Sequence, residues 1–376
     1  MCYNGGGYAI TNTKKEGIDM EGAFKKGGSA YIQSLIREGI EGGSRTATIT
    51  GAYEIEEAVL IPSDFTLILR DCHLRMADDT FDNMFRNEGC GDVLTRTAGA
   101  GNRSIKILGE GEAILDGGKY NGLSERNAGR DGRPPMQVTH LLLFSNVEGF
   151  EIRGLHCRNQ RWHAVSFYFC SDGIIENIDF CASDITIDEN GNEIHFISYD
   201  NRAGVLVQNA DGIHLWSGCH DIRIENITGF TEDDTVALTG IIKNDGFIRF
   251  LVPDKPLDIC RVEIKNVRSA AHCANVRLLS QGGVPLHDIL VDGVYDTSAE
   301  SPHMDVGGHG VRVGDGSYVY GRRQSTPDEV YRITVRNVRS RARGAAVHLG
   351  GGMQEPMLEN IEAFDGAIAI KDMREG

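Results

Sequence analysis

Short stretches in which apolar and polar residues alternate recur along most of the chain and predict β-strands. Residues 48–70 and 104–118 alternate in this way, and residues 222–227 do so between two aspartate-containing segments. Residues 31–40 are the best candidate for a helix, which would be short and amphipathic. The pattern therefore indicates an all-β protein with little helix.

One strand-like phrase recurs with asparagine or glycine at the same position. These positions are Gly109, Gly154, Asn177, Asn226, Asn266, Gly293, Asn337 and Asn360. Successive positions are 45, 23, 49, 40, 27, 44 and 23 residues apart. The steps of 23 to 27 residues fit one turn of a three-sided coil. The steps of 40 to 49 residues fit one turn with a long loop, or two turns.

Asparagine and glycine tolerate the left-handed backbone angles that a bend between two strands requires. Stacked asparagines can also hydrogen-bond to each other along such a coil. We therefore predict a right-handed parallel β-helix, which is a single-stranded solenoid whose turns stack on one another. An antiparallel β-sandwich has the same alternation and stays the alternative.

The 376 residues exceed a typical single globular domain, but a solenoid grows without needing a larger core. We expect one β-helix domain over residues 1–376. Residues 1–47, which include the candidate helix, would form an N-terminal cap that covers the open sheet edge.

Charge and cysteine usage narrow the class of protein. The formal charge of −16 argues against a nucleic-acid partner, and no apolar stretch reaches transmembrane length. The start of the chain shows no secretory signal, and the nine cysteines include no CxxC pair. We therefore expect a cytoplasmic protein whose thiols, Cys72, Cys170 and Cys181 among them, are unpaired. No metal-ligand spacing is evident, so no metal or cofactor is predicted.

Three aspartates fall in two short segments, one turn of the coil apart. Asp211 and Asp233 are separated by 233 − 211 = 22 residues, and Asp234 follows directly. Stacked turns would bring the three carboxyl groups together, which is what glycoside hydrolysis needs. Because crowded carboxylates cannot all ionise freely, at least one pKa should rise. The alternative is that these aspartates only cap turns at the corners of the coil.

Four segments, in this order, resemble motifs of the polygalacturonase-like glycoside hydrolases (family 28), which are right-handed parallel β-helices. Residues 111–117 resemble the G-x-I-D-G segment, residues 159–163 resemble NSPxWH, residues 209–212 resemble NTDG, and residues 232–238 resemble GDDCIAI. The resemblance runs from about residue 48 to residue 350. It implies Asp233 as general acid, with Asp211 and Asp234 holding and activating a water molecule.

The family also has a histidine in a GHG segment and a basic pair in an RIK segment. Two histidines fit the first: His272 by repeat count, and His309 by its literal GHG context. The RIK segment corresponds to Arg312, with Gly314 where the family has lysine. Arg277, one turn earlier, is a second candidate ligand for a sugar carboxylate.

Several further residues are candidates for substrate binding because they lie on turns next to the aspartates. They are Asn209, Trp162, His163, His214 and Trp216. A tryptophan there either stacks on a sugar ring or packs in the core.

These observations predict an inverting hydrolase that cleaves a pectin-like or uronic-acid-containing oligosaccharide. Long loops at 119–137, 184–207, 240–260 and 295–308 would block one end of a groove and favour exo action. A polysaccharide lyase or epimerase on the same fold is one alternative. A non-catalytic carbohydrate-binding β-helix is the other.

Overall fold

The computed structural model describes residues 24–118, 139–182, 186–187, 193–194, 211–242, 250–316 and 319–374. Its described part begins with one helix, α1 (Gly28–Glu41). The strands of the first half are β1 (Thr46–Ile55), β2 (Val59–Ile61), β3 (Phe65–Met76), β4 (Phe85–Asn87), β5 (Gly91–Asp92), β6 (Thr97–Ala98), β7 (Asn102–Asp116), β8 (Leu142–Ser145), β9 (Val147–Arg153), β10 (His156–Arg158), β11 (Val165–Tyr168) and β12 (Ser171–Cys181). Those of the second half are β13 (Thr186–Ile187), β14 (Glu193–Ile194), β15 (Ile213–Trp216), β16 (His220–Thr231), β17 (Val236–Ile241), β18 (Ile259–Ala271), β19 (Ala274–Gln281), β20 (Leu286–Asp296), β21 (His309–Val313), β22 (Val330–Ser340), β23 (Ala345–Leu349), β24 (Met357–Ala363) and β25 (Ile370–Asp372).

Two large sheets run the length of the described chain, and successive strands alternate between them. The first sheet has the order β1-β3-β7-β10-β12-β16-β18-β20-β22-β24, with β9 pairing β7 and β12. The second has the order β2-β4-β8-β11-β15-β17-β19-β21-β23-β25. Neighbouring strands within both sheets are parallel, as between β16 and β18 or β17 and β19. Each pass of the chain adds one turn of a parallel β-helix, so the predicted fold is confirmed and the antiparallel sandwich is excluded.

The alternation seen in the sequence sorts side chains between the interior and the surface. Strands such as β3 bury every second residue on each side of a central break. Residues in register on successive turns therefore stack inside the coil as aliphatic ladders. One such ladder is fully buried and consists of Ile107, Ile152, Ile175, Ile224, Ile264, Val291 and Val335. The core is a column rather than a sphere, so it lengthens with each added turn.

The recurring asparagines and glycines form the predicted column at a bend in the first sheet. Asn177, Asn226 and Asn266 adopt φ values of 57°, 58° and 53° within their strands. Their side chains bond along the column: Nδ2 of Asn226 donates to Oδ1 of Asn177 at 3.0 Å, and Nδ2 of Asn266 donates to Oδ1 of Asn226 at 2.6 Å. Because a left-handed residue turns the strand direction, each long strand supplies two sides of the coil.

The sequence alignment placed Gly109 among the left-handed residues of this column, and that assignment is wrong. Gly109 stacks beside Gly154, but the left-handed residue of its turn is Gly111, with φ 67°. The extra residues are accommodated by a register shift between β3 and β7 near Cys72. Elsewhere the long steps are single turns with loops: β12 and β16 are direct neighbours although Asn177 and Asn226 are 49 residues apart.

The helix α1 covers the N-terminal end of the coil. It includes residues 31–40, as predicted, and buries Ile32 and Ile36 against the first turns. Of the predicted cap region 1–47, residues 1–23 lie outside the described residues. No helix in the described part of the chain is long and apolar enough to cross a membrane.

The prediction that the thiols are unpaired is wrong for Cys181, which is disulfide-bonded. Cys72, Cys90, Cys157, Cys170, Cys219, Cys260 and Cys273 are free, as expected. Disulfide formation depends on the distance between two cysteines in the fold, which composition does not reveal.

We predict that Asn226→Ala destabilises the protein by about 2 kcal/mol, because it loses two ladder hydrogen bonds and places a Cβ-bearing residue at φ 58°. Asn226→Gly is the matched control, since it loses the same hydrogen bonds but tolerates the backbone angle. In urea unfolding, the free energy of unfolding should be highest for the wild type, lower for Asn226→Gly and lowest for Asn226→Ala. Equal stability of the two variants would mean that the bend angle imposes no constraint.

Candidate active site

The stacked turns bring one set of side chains to the same corner of the coil. His140, His163, Asp211 and Asp234 each lie two residues before a strand of the second sheet, and those four strands are in register. The register extends into the corner itself. The Ala164 amide donates to the Asp211 carbonyl at 2.9 Å, and the Gly212 amide donates to the Asp234 carbonyl at 3.0 Å. Residues far apart in sequence are therefore neighbours along the coil.

Asp211, Asp233 and Asp234 meet at this corner, as predicted. Oδ1 of Asp211 accepts the backbone N–H of Asp234 at 2.9 Å. Asp233 and Asp234 lie in the bend between β16 and β17, so they need not point to opposite faces as adjacent residues in a strand do. A carboxylate oxygen from each lies within 4.8 Å of the other and of Sγ of Cys273. The bend therefore brings the two carboxylates close together.

Burial and mutual repulsion disturb the ionisation of these carboxyls. Burial, then the charges of Asp233 and Asp234, raise the pKa of Asp211 well above its usual value. Burial and the charge of Asp233 raise the pKa of Asp234 to about 7, although Arg277 opposes the shift. The predicted rise in pKa is confirmed, and it affects two carboxyl groups, those of Asp211 and Asp234. Because the groups interact closely, their protons belong to the cluster as a whole.

Cys273 lies beside the aspartate pair and was not recognised from the sequence. Its Sγ accepts a hydrogen bond from Nη1 of Arg277 at 3.4 Å. Burial, followed by the charges of Asp234 and Asp233, raises the pKa of this thiol well above its usual value, which keeps it neutral. The only available signal was its position in the turn that follows the Asp233 turn.

The two candidate histidines occupy different places. His272 is buried, aligns with Glu232 in the extended register of β16 and β18, and packs edge-on against Phe230 at 5.9 Å between ring centroids. His309 begins β21, one turn beyond Ala274 and two turns beyond Asp234. Burial and then the charge of Arg312 lower the pKa of His309 to about 3, so it is neutral.

Arg277 and Arg312 lie side by side on β19 and β21 and share one buried partner, Asp315. Nη2 of Arg277 donates to Oδ2 of Asp315 at 2.6 Å, and Nη2 of Arg312 pairs with Oδ1. Nε of Arg277 is also 4.0 Å from Asp234. The side chain of Arg277 is 7% exposed and that of Arg312 22%, so Arg312 is the one that reaches solvent.

The backbone accounts for the glycine at the family's lysine position. Gly314 has φ 67°, and a Cβ atom there would collide with the carbonyl oxygen of Gly350 on the next turn. A lysine at 314 is therefore incompatible with this packing. Asp315, which follows it, was missed because nothing in the sequence marks a lone aspartate as the partner of two arginines.

Aromatic and imidazole rings stack along the coil beside the aspartates. His163 stacks on His214 at 4.1 Å between ring centroids, and His214 stacks on Trp216 at 4.2 Å. Trp162 is only 8% exposed and belongs to a satellite core cluster with Leu143. The structure thus favours core packing for Trp162, whereas Trp216 is only partly buried against the same cluster.

His163 and His214 also contact Asp211. Oδ2 of Asp211 lies 2.6 Å from Nδ1 of His214 and 3.4 Å from Nε2 of His163. Nδ1 of His163 faces Oγ of Ser166 at 3.3 Å. The three residues are almost completely buried.

Two of the family-like segments touch each other further along the same surface. Nδ2 of Asn159 donates to Oδ1 of Asp116 at 3.0 Å. Nε2 of His73 lies 3.2 Å from the other oxygen of this carboxylate. Asp116 therefore connects the segment at 111–117 to the segment at 159–163, which continues to His163.

Some predicted features lie outside the described residues. Asn209 is one of them, as are the loop at 119–137 and most of the loop at 184–207. The loop at 240–260 is described apart from residues 243–249, and the loop at 295–308 is described completely.

Comparison with known proteins agrees with this arrangement. Residues 94–248 match the model of glycosyl hydrolases family 28. The resemblance to family 28 is therefore confirmed over a segment that includes Asp211, Asp233 and Asp234. The sequence has no significant match among curated proteins.

Solved structures show the same fold at low sequence identity. A mutant tailspike protein of E. coli bacteriophage HK620, in complex with a hexasaccharide, superposes with a TM-score of 0.52 at 13% identity, covering 92% of this chain and 60% of its own. Another tailspike mutant, in complex with a pentasaccharide, gives a TM-score of 0.52 at 12% identity, with coverages of 92% and 61%. A family 28 exopolygalacturonase from Yersinia enterocolitica gives 0.45 at 12% identity, with coverages of 88% and 71%. The tailspike likeness shows the fold alone, and the exopolygalacturonase score is too low to support an argument.

We predict that Asp315→Asn destabilises the protein by about 3–5 kcal/mol, because it leaves two closely spaced guanidinium groups without their buried counter-charge. Asp288→Asn is the matched control: it makes the same change at an exposed pair with Arg332 and should cost less than about 1 kcal/mol. Urea unfolding measures both variants. Similar losses for the two would contradict the role given to Asp315.

Proposed function

We propose that the protein is an inverting glycoside hydrolase that acts on an oligosaccharide containing uronic acid or a pectin-like unit. The observation that carries this proposal is the meeting of Asp211, Asp233 and Asp234 at one corner of the coil. These aspartates lie within the segment that matches family 28.

In this proposal Asp233 is the general acid. It is the most exposed of the three aspartates, whereas Asp211 and Asp234 are 3% and 5% exposed, so it is the best placed to meet a glycosidic oxygen. The crowding that raises the pKa values of its neighbours means that the cluster retains a proton near neutral pH. In this scheme Asp233 delivers that proton to the leaving oxygen.

Asp211 and Asp234 hold the attacking water in this scheme. The backbone N–H of Asp234 donates to Oδ1 of Asp211, which holds the Asp211 carboxylate next to the turn that carries Asp234. The water oxygen bonds to the anomeric carbon from the face opposite the leaving group, and a water proton passes to this pair as the glycosidic bond breaks. The anomeric configuration is therefore inverted.

The arginine pair supports a substrate that bears a carboxylate. Two guanidinium groups against one Asp315 carboxylate leave one unit of positive charge next to the aspartates. A guanidinium binds a carboxylate with two parallel hydrogen bonds. Arg312 is the more exposed arginine and is the expected contact, while buried Arg277 holds Asp234 and Asp315 in place.

Exo action is the finer part of the proposal. The fully described loop at 295–308 packs onto the coil through Met304, which contacts Phe230 and Ala270 just before the catalytic corner. A wall at this point would stop a polymer from running through the groove and favour cleavage at chain ends.

We predict that Asp233→Asn lowers kcat by about 100- to 10,000-fold, and least for substrates whose good leaving groups need little protonation. Asp211→Asn and Asp234→Asn should be poor on every substrate. Asp288→Asn, an exposed charge change, is the control and should leave kcat unchanged. The assay is digestion of oligogalacturonides and rhamnogalacturonan fragments, with NMR detection of the first anomer formed.

Three results of that assay would contradict the proposal. Retention of configuration would exclude the inverting role of the aspartates. A product that absorbs in the ultraviolet would indicate a lyase, because elimination leaves a double bond and hydrolysis does not. Binding of the oligosaccharides without turnover by the wild type would indicate a non-catalytic carbohydrate-binding protein.

We predict that Arg312→Ala mainly raises KM, since a contact that binds ground state and transition state equally affects binding alone. Arg332→Ala removes an exposed arginine elsewhere on the coil and should not change KM. Steady-state kinetics on a uronic-acid oligosaccharide and on its carboxyl-reduced form measures the effect. A large fall in kcat at constant KM would assign Arg312 to the chemistry instead.

A further inference from the structure

We propose that His163, Asp211 and His214 form a binding site for one divalent transition-metal ion of the zinc class. We further propose that an ion held there stops hydrolysis, and this second part rests on the proposed function.

The geometry of the donor atoms carries the proposal. One ring nitrogen of His163, one of His214 and a carboxylate oxygen of Asp211 all lie within 4.8 Å of one another. Three ligands that each stand about 2.0–2.2 Å from a zinc ion are separated from one another by less than twice that length. To place an ion between them, the 2.6 Å contact between Asp211 and His214 must open and one of the two stacked rings must rotate.

The fold sets this arrangement in advance. His163 and Asp211 occupy the same position on successive turns, and His214 follows Asp211 within its own turn. The two imidazole rings are nearly parallel, at 10° between planes. Trp216 stacks on His214, and Trp162 packs against His163.

A second contact orients one of the ligands. Nδ1 of His163 faces the buried hydroxyl of Ser166, which turns Nε2 toward Asp211. Ligand histidines in metal sites usually have their other ring nitrogen engaged in this way. Ser166 precedes His214 in the same register column, so this support is part of the second sheet.

The chemistry of the donors selects the class of ion. Two imidazole nitrogens and one carboxylate oxygen suit zinc, cobalt and related ions, whereas calcium and magnesium require oxygen ligands. The surroundings are also negative, because Asp233 and Asp234 add their charges to that of Asp211. A cation would relieve the repulsion that this cluster carries.

Binding of an ion releases a proton to solvent wherever the Asp211 carboxyl is protonated, because only the carboxylate is a ligand. An ion on Nδ1 of His214 requires the neutral tautomer with its proton on Nε2, and it replaces the contact between Nδ1 and Asp211. The Asp211 carboxylate bonds to the ion instead. Since Asp211 is one of the two carboxylates that hold the attacking water, an ion at this position removes that function.

Cobalt(II) alone is the probe for binding, because its visible absorption reports the ligands directly. We expect wild-type protein stripped with a chelator to bind one Co²⁺ with a spectrum of nitrogen and oxygen ligands. His163→Ala and His214→Ala should each weaken binding at least about tenfold, as loss of one ligand predicts. His287→Ala, which removes a buried histidine between Asp258 and Asp288 on the first sheet, is the control and should leave Co²⁺ binding unchanged.

Cys273→Ala distinguishes the neighbouring group of Asp233, Asp234 and Cys273, whose donor atoms are equally close to one another. A thiolate-to-cobalt charge-transfer band that disappears in Cys273→Ala would place the ion there and overturn the proposal. Failure of the wild type to bind Co²⁺ would overturn it as well. Far-ultraviolet circular dichroism of each variant excludes unfolding as the cause of lost binding.

A separate titration tests inhibition. Hydrolysis should fall as Zn²⁺ saturates the wild type and return when a chelator is added. Activity that rises with Zn²⁺ would overturn the inhibitory role. If the stripped wild type has no hydrolase activity, the proposed function fails, whereas the cobalt spectra still decide whether the metal site exists.

Discussion

Parallel hydrogen bonding between stacked turns is the constraint on which the rest of this structure depends. Each residue of one turn is held opposite its counterpart on the next, at the spacing of neighbouring strands. A residue's position within its turn therefore decides its neighbours more than its position in the sequence. His140, His163, Asp211 and Asp234 come together for this reason, and so do the asparagines on another side of the coil.

The same constraint concentrates charge where the coil bends. Side chains at a corner cannot move away from the turns above and below, so Asp211 and Asp234 remain in contact despite their repulsion. Arg277 and Arg312 bring positive charge into the same region and partly offset this repulsion. A set of carboxylates with shared protons next to a fixed arginine pair is the electrostatic basis of the chemistry proposed for this site.

Much of the fold could be predicted because the repeat is local. Alternation gives the strands, and the recurring asparagines mark the bends, since few other residues adopt a left-handed angle within a strand. Gly109 was misplaced because a glycine two residues away serves the bend equally well, and local sequence does not decide between them. The aspartates were found because their spacing equals one bare turn.

The parts that were missed depend on contacts between turns separated by loops of different length. Asp315 pairs with an arginine 38 residues earlier, and Cys273 lies opposite Asp233 on the next turn. Two histidines, His272 and His309, were candidates for the site. Sequence alone could not decide between them, because the repeat count and the literal motif point to different turns.

The clash between Gly314 and Gly350 has a consequence for how this surface can change. A lysine beside Arg312 cannot be regained by a single substitution, because the two backbones meet where its Cβ would be. A second basic side chain would have to come from another turn of the same sheet, such as position 348, where His348 lies opposite Arg312. The tight approach of the two turns therefore prevents a single substitution from converting this arginine-only arrangement into one that uses lysine.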